Sequence, residues 1–437
     1  MPTLIRRLVA LLGALLCAIA VFVLASALGI GFWPLALAAL AAFLASGWFL
    51  LRLAGGSGAE AGRWLVAGGV AYVVVAQLLV GRPPARTLAE VTAPPDTRYW
   101  SLGNGTRIAY QLVEPRADSQ GATAPRPPVV VLHDGPGTPQ LPFLLALGKR
   151  PYDFLASEGR AVYYYDQLGS GFSSRLDLAH DAPYTVARHV ADLEAIRAQI
   201  GAPRLVLAGT GWGATLAVQY LLQHPDHVER LILESPAAIW APAWPETINP
   251  AARARMSDVQ ASTMAALERP PLRLVLGRMM SDFSAPVAHR WIAEWEGDQW
   301  WTQRTEEAMR LGQPNLTCKS DPAESGLPAP AGLGFFANSY TLANALELPD
   351  PRPALRKLHM ETLIIRGTCD YFNWDVSAEY LQVIKGAHYV AIPAAGHNIW
   401  LEQSLMFSEV VGAFLRGEKL PLEAYDPQSV SQAPASR

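Results

Sequence analysis

The chain has 437 residues, of which 51% are apolar and 17% charged, with a formal net charge of −3. A soluble domain carries roughly 25% charged residues, so part of this chain is not built to face water. With so even a charge balance, and without an arginine-rich arm, zinc-finger spacing or RNA-binding signature, nucleic acid is excluded as a partner. The length suits two or three units.

The N-terminus sets the context. Leu8 to Ile30, Leu35 to Leu51 and Trp64 to Val80 are three runs without charge. A helix needs roughly 20 apolar residues to cross a hydrocarbon core, and none of these runs shows the polar face of a soluble surface helix. We therefore expect three transmembrane helices within residues 1–81, the first two forming a hairpin through Gly31 to Pro34. Arg6 and Arg7 precede the first span, and Arg52 and Arg63 lie in the second connection. The positive-inside rule places both in the cytoplasm and the rest of the chain outside it. Arg82 and Arg86 argue mildly the other way. Ala25-Ser26-Ala27 resembles a signal-peptide cleavage site, in which case the later spans still anchor the protein. This organisation fits a bacterial inner-membrane protein with an extracytoplasmic domain.

Residues 82–95 read as a proline-rich linker. Strands are expected at Tyr99 to Leu102 and Arg107 to Val113, turning at Asn104-Gly105. Short apolar runs typical of buried strands follow at Val129 to Leu132, Ala161 to Tyr165, Leu205 to Ala208, Leu231 to Leu233, Thr362 to Ile365 and Tyr389 to Ile392. Helical patterns lie at Val186 to Ile200, Ala214 to Gln223 and Leu401 to Leu415. The alternation argues a parallel sheet with covered faces, built from 96–235 and 350–418. Residues 236–349 lack strand runs and read as an inserted, tryptophan-rich helical cap, and 419–437 as a disordered tail. The cysteines are Cys17, Cys318 and Cys369, without metal-ligand spacing. Cys318 and Cys369 either pair, if the domain meets an oxidising compartment, or stay as two buried thiols.

In an open parallel sheet, ligands sit at the carboxyl ends of the strands. The segments found there are His133-Asp134-Gly135-Pro136-Gly137, Asp166-Gln167-Leu168-Gly169-Ser170-Gly171-Phe172-Ser173, Gly209-Thr210-Gly211-Trp212-Gly213, Gly367-Thr368-Cys369-Asp370 and Gly396-His397. This ordered set closely resembles the proline iminopeptidase group of α/β hydrolases, including its tricorn-interacting aminopeptidase branch, over roughly Tyr99 to Leu415. The resemblance implies an α/β-hydrolase fold with a helical cap, preceded here by the membrane helices. It implies small peptide, amide or ester substrates, and it calls for no cofactor and no metal. His397 takes the place of the catalytic base and Asp370 of its orienting acid, with the N–H groups of Gly135 and Trp212 as the oxyanion hole. A Trp-x-x-x-Trp-Glu segment matching Trp291 to Glu296 implies that Glu296, beside Trp295, holds a substrate amino group; otherwise Glu296 sits on a solvated helix face. Glu234, just after a strand, is expected to face the pocket.

Two positions depart from the pattern. Asp134 replaces the first glycine of its loop and adds a carboxylate beside the site. Gly211 stands where the family has the nucleophilic serine. Thr210, Cys369, Ser170 and Ser173 are poor substitutes by position, and a water activated by His397 is the natural replacement. Two readings compete: an enzyme that keeps the His397–Asp370 dyad, and a pseudoenzyme that uses the old pocket to bind or scaffold a small molecule or short peptide. Because Gly209 and Gly213 match the family's turn, Gly211→Ser alone is expected to gain reactivity.

Overall fold

The structure is a computed structural model that describes residues 3–26, 28, 32–80, 92–103, 105–116, 126–244, 257–310, 317–318 and 331–425. The expected linker up to residue 91, Asn104 of the first turn and the tail from 426 onward lie outside the described residues. The chain divides into two compact units: Met1–Thr87 with Leu176–Pro183 and Arg269–Gln299, and the remainder. The inserted stretch 236–349 is divided between the two units, with Arg269–Gln299 in the first and the rest in the second.

The first unit is helical. Helices α1 (Thr3–Ser26), α2 (Phe32–Leu53) and α3 (Gly58–Val80) cover the three apolar runs, and of these, among the described residues, only α1 and α2 are apolar enough over a sufficient length to be candidate spans, against the three expected. Small residues let them approach closely: Ala14, Ala18 and Ala39 pack with Phe43, and Ala10 and Ala61 with Leu51 and Leu65. A capping box starts α3, in which the Glu60 N–H donates to Ser57 Oγ and the Ser57 N–H to Glu60 Oε2, each at 3.2 Å. Among the described residues two helices, Leu4–Phe22 and Pro34–Leu53, are long and apolar enough to cross a membrane. Their outer faces expose Leu4, Leu8, Leu12, Leu16, Ile19, Leu37 and Phe49. Helix Leu272–Trp291 belongs to the same unit, where Met280, Ala288 and Trp291 pack on Leu35.

The second unit is built on a sheet whose eight described strands run in the order β1-β2-β4-β3-β5-β6-β7-β8. They are β1 (Arg98–Ser101), β2 (Arg107–Val113), β3 (Val129–Leu132), β4 (Val162–Tyr165), β5 (Leu205–Thr210), β6 (Val228–Glu234), β7 (His359–Gly367) and β8 (Lys385–Ile392). From β4 to β8 the pairs are parallel, as the sequence pattern predicts, whereas β1 and β2 form an antiparallel edge. All four residues of β3 are buried, which explains its unbroken apolar run. Helices α4 (Leu141–Leu147), α5 (Val186–Ile200) and α6 (Trp212–Gln223) follow, and Ser404–Arg416 closes the domain. Thr185 caps α5 by accepting the Arg188 N–H at 3.1 Å. Phe407, Val410 and Val411 of the last helix join Val129, Val206, Ile232 and Leu363 of the sheet in one core. Residues 419–425, expected to be disordered, instead return to the sheet: the Tyr425 N–H donates to the Tyr389 carbonyl at 2.7 Å, and its ring lies 4.4 Å from that of Tyr389. Partly covering that ring offsets some of the entropy of ordering the segment.

Candidate active site

The elbow after β5 keeps its sharp geometry without a serine. Gly211 has φ 51° and ψ −114°, at the junction of β5 and α6. The flanking glycines are steric necessities: a Cβ on Gly209 would lie 2.4 Å from the Gly213 backbone, and one on Gly213 would lie 2.0 Å from the Leu132 carbonyl oxygen. Thr210, beside the elbow, donates its hydroxyl to Glu234 at 3.2 Å.

The dyad is assembled. His397 Nδ1 lies 3.0 Å from Asp370 Oδ1, and the two residues are 2% and 1% exposed. The rings of Tyr371 and Phe372 flank the imidazole at 4.6 and 5.3 Å. Behind the acid loop lies Arg366, fully buried, whose guanidinium donates to the carbonyls of Gly367, Asp370 and Phe372. The apolar run in the sequence ends at Ile365, but the strand continues through Arg366, whose charge at the end of a buried strand is the sequence signal for this buried anchor.

Asp134 decides the character of the site. Its Oδ1 accepts the Trp212 N–H at 2.8 Å, and the Gly135 N–H stabilises the same carboxylate. The two N–H groups expected to form an oxyanion hole therefore converge on a side chain of the protein itself. Oδ2 lies 3.4 Å from His397 Nε2. A Cβ placed on Gly211 would sit 2.0 Å from Asp134 Oδ1, so the carboxylate occupies the ground that a serine side chain needs. A serine at residue 211 therefore requires the Asp134 carboxylate to move, which the sequence expectation for Gly211→Ser alone did not include.

The loop carrying Asp134 is rigidly held. His133 accepts the Gln167 N–H at 2.8 Å, and the Gln167 side-chain amide donates to the His133 carbonyl at 3.1 Å and accepts the Trp212 indole N–H at 2.9 Å. Burial pulls His133 down to about 4, so it stays neutral and serves as a fixed connector. Gln167 ties the loop after β3 to the start of α6, a role the sequence did not reveal. Ser170 and Ser173 donate to the backbone carbonyls of Gln167 and Asp166, which makes them structural, as expected.

Electrostatics changes the role given to His397. Burial alone lowers its pKa, but Asp370 and Asp134 on either side outweigh burial and push it up to about 10. Burial likewise works to raise both aspartates, and the imidazolium and nearby N–H groups hold them below their ordinary value. At neutral pH the resting site is thus carboxylate, imidazolium, carboxylate. The raised histidine contributes stability that is complete below pH 6.5 and is lost as pH rises through about 10; the lowered aspartates contribute stability present above pH 3.8 and lost below it. We predict that 15N NMR of labelled histidine shows His397 still doubly protonated at pH 8, and that Asp134→Asn lowers its midpoint by about one unit or more. A wild-type midpoint near the ordinary 6.5 would contradict this charge arrangement.

Glu234 needs correction. It is 1% exposed, hydrogen-bonded to Thr210 and pushed by burial to about 7, and it is absent from the wall of the cavity it was expected to face. Glu296 is also no solvated-face residue. It is 4% exposed and belongs, with Trp295, to the first unit. There its carboxylate accepts from Arg273 at 2.6 and 3.1 Å and from the Ala293 N–H at 3.0 Å, so the chain itself supplies the cation expected from a ligand. Cys318 and Cys369 form a disulfide with their Cα atoms 5.3 Å apart. The bridge reaches the loop of Asp370, and Glu402 accepts both the Cys318 N–H, at 2.9 Å, and the Gly396 N–H, at 2.7 Å, next to His397.

A cavity of about 360 Å³ opens on Asp134, lined also by Gly135, Trp212, Thr215, Gln219, Ile239, Leu342, Leu348, Tyr371 and Phe372. The family model for the alpha/beta hydrolase fold matches residues 127–404. The chain belongs to the alpha/beta hydrolase fold family. Within it, this α/β hydrolase is similar in sequence to the proline iminopeptidase of Lactobacillus delbrueckii subsp. bulgaricus, with 28% identity over 298 residues, 68% of this chain and 92% of the relative. The proline iminopeptidase of Lactiplantibacillus plantarum is 26% identical over 309 residues, 70% of this chain and 95% of the relative. A solved probable hydrolytic enzyme from Pseudomonas aeruginosa PAO1 shares the α/β-hydrolase architecture, with a TM-score of 0.51, 19% identity, and coverage of 75% of this chain and 95% of that one.

Proposed function

We propose that this chain is a membrane-anchored hydrolase that acts on a small, largely apolar molecule without a serine nucleophile. The observation that carries this reading is the buried His397–Asp370 pair at 3.0 Å, with the second imidazole nitrogen paired with Asp134 on the rim of the cavity. A pocket used only for binding has no need of an oriented imidazole. The peptide-bond chemistry implied by the proline iminopeptidase relatives does not carry over, because it needs an oxygen at residue 211 and an open oxyanion hole. One feature favours the pseudoenzyme reading: Asp134 and His397 neutralise each other at rest.

Anchoring by the N-terminal helices fits their apolar, exposed faces, with Arg6, Arg7, Arg52 and Arg63 on the cytoplasmic side of a bacterial inner membrane. The Cys318–Cys369 bridge supports an oxidising, extracytoplasmic setting for the hydrolase domain. The test uses the full chain in detergent and a panel of aryl esters, aminoacyl anilides, alkyl halides and alkyl sulfonates. Wild type should ignore fluorophosphonates yet hydrolyse panel members, and His397→Ala should slow that hydrolysis by about 10²-fold or more. If no panel member is hydrolysed in a His397-dependent way, the pocket is a binding site and the pseudoenzyme reading stands.

A further inference from the structure

We propose that Asp134 is itself the nucleophile, displacing an anionic leaving group from a saturated carbon of the substrate and forming a transient alkyl ester. This rests on the serine-free hydrolase reading above and names its substrate class.

The argument begins with what the filled hole forbids. An acyl substrate must seat its carbonyl oxygen on the Trp212 and Gly135 N–H groups, because that is where negative charge develops. Asp134 Oδ1 already holds that seat at 2.8 Å from the Trp212 nitrogen. Displacement at a saturated carbon puts no negative charge on a substrate carbonyl, so the filled hole does not hinder it. The same seat also fixes the carboxylate: with Oδ1 bound to the Trp212 N–H and Oδ2 on the side of His397 Nε2, Oδ2 is the oxygen placed to react. The Asp134 side chain is 38% exposed, on the edge of the cavity, whereas the other carboxylates around His397 are buried. Asp134 is therefore the carboxylate that a ligand can reach. The cavity walls formed by Ala237, Ala238, Ile239, Leu342, Leu348 and Phe372 suit an alkyl or aryl group.

The chemistry closes. In the first step an Oδ2 lone pair forms the new C–O bond, and the bond to the leaving group breaks, the pair departing with it as a halide- or sulfonate-like anion. Asp134 becomes a neutral ester. His397 thereby loses one of the two negative charges that keep it protonated, and it releases its proton to solvent. In the second step Nε2 takes a proton from water as the water oxygen attacks Cγ of Asp134. Negative charge now develops on Oδ1, which already sits on the Trp212 N–H, with the Gly135 N–H bonded to the same carboxyl group. Collapse breaks the Cγ–Oδ2 bond. The alkoxide takes the proton held by His397 and leaves as an alcohol, and the new carboxylic acid passes its proton to His397. The sum is substrate plus water giving alcohol, leaving-group anion and one proton, with the resting charges restored. An oxyanion hole filled by a carboxylate is thus the arrangement that the second step requires.

The experiment uses the full chain in detergent with 1-bromohexane and hexyl methanesulfonate as probes. His397→Gln should stall after the first step and accumulate one hexyl group, mapped by peptide mass spectrometry to Asp134. Wild type, in a single turnover in H₂¹⁸O, should release unlabelled hexanol and carry one ¹⁸O in the Asp134 carboxyl group. Asp134→Asn should give neither product. Hexanol that carries the ¹⁸O, with none in Asp134, would overturn the nucleophile while leaving a water-using hydrolase intact. Turnover that survives Asp134→Asn would do the same. Neither alkylation of Asp134 nor turnover of either probe, alongside His397-dependent hydrolysis of the aryl esters or anilides, would also overturn the proposal. Should the His397→Gln variant not fold, the ¹⁸O result on wild type decides alone.

Discussion

Gly211→Ser alone should remain silent toward fluorophosphonates, whereas Gly211→Ser combined with Asp134→Gly should become labelled. In the single variant the serine Cβ would fall 2.0 Å from Asp134 Oδ1, and the hydroxyl would compete with a carboxylate for the same space. One of the two must be displaced, and the positive φ at this elbow adds strain of about 1–3 kcal/mol for any residue with a side chain. The second substitution removes the obstacle and empties the Trp212 and Gly135 N–H groups for an oxyanion. It also removes one of the charges that keep His397 protonated, so the imidazole becomes available as a base. The gain of the double variant over the single should be about 10²-fold or more in labelling rate, the scale on which an oxyanion hole acts. Adding His397→Ala should abolish it. Equal labelling of single and double variants would show that Asp134 moves aside freely and does not control the site. The coupling between positions 134 and 211 is the measurement of interest, because residues sharing one space are not additive.

Asp166→Ala should be the most damaging single change in the second unit outside the core. Asp166 is fully buried, and its carboxylate accepts three backbone N–H groups: Gln140 at 2.7 Å, Leu141 at 2.8 Å and Phe172 at 2.8 Å. Two of these belong to the start of α4, which has no side-chain cap of its own at Gln140. An alanine leaves all three donors buried and unmatched, at about 1–3 kcal/mol each, so a loss on the order of 3–9 kcal/mol is expected. That corresponds to a fall in thermal midpoint of roughly 10 °C, readable by circular dichroism of the full chain. Ser157→Ala, on the surface, should change it by less than about 0.5 kcal/mol and serves as the control. A midpoint for Asp166→Ala within 2 °C of wild type would mean that water replaces the carboxylate at these donors.

The architecture was legible because its signals are local. Buried parallel strands need unbroken apolar runs, and every expected strand appears, from Val129–Leu132 unchanged to β7, which extends the run at Thr362 in both directions to His359–Gly367. Helix Val186–Ile200 matched to the residue, since Thr185 and Gly201 bracket it with a cap and a left-handed stop. What was hidden depends on contacts between residues distant in sequence. Nothing in Asp134 alone announces that its carboxylate lies in the oxyanion hole; that follows from the absence of a side chain at Gly211, 77 residues later in the numbering. The partner of Glu296 was hidden for the same reason, because Arg273 is 23 residues away along a helical stretch with several other charges. Helix Trp374–Val383 was missed because its apolar residues are interrupted by Asp375, Ser377, Glu379 and Gln382, and packing decides what propensity leaves open.

The Cys318–Cys369 bridge matters most for the state in which the protein has no structure. It joins residues 51 apart in sequence, and in the chain-entropy account a closed loop of that size takes about 4 kcal/mol of freedom from the denatured ensemble. That restriction falls on the segment leading to Asp370, whose folded partners, Arg366 and His397, are themselves buried. The unfolded chain therefore keeps the acid loop tethered to the far end of the inserted region, and the search that brings aspartate and imidazole together begins from a smaller volume.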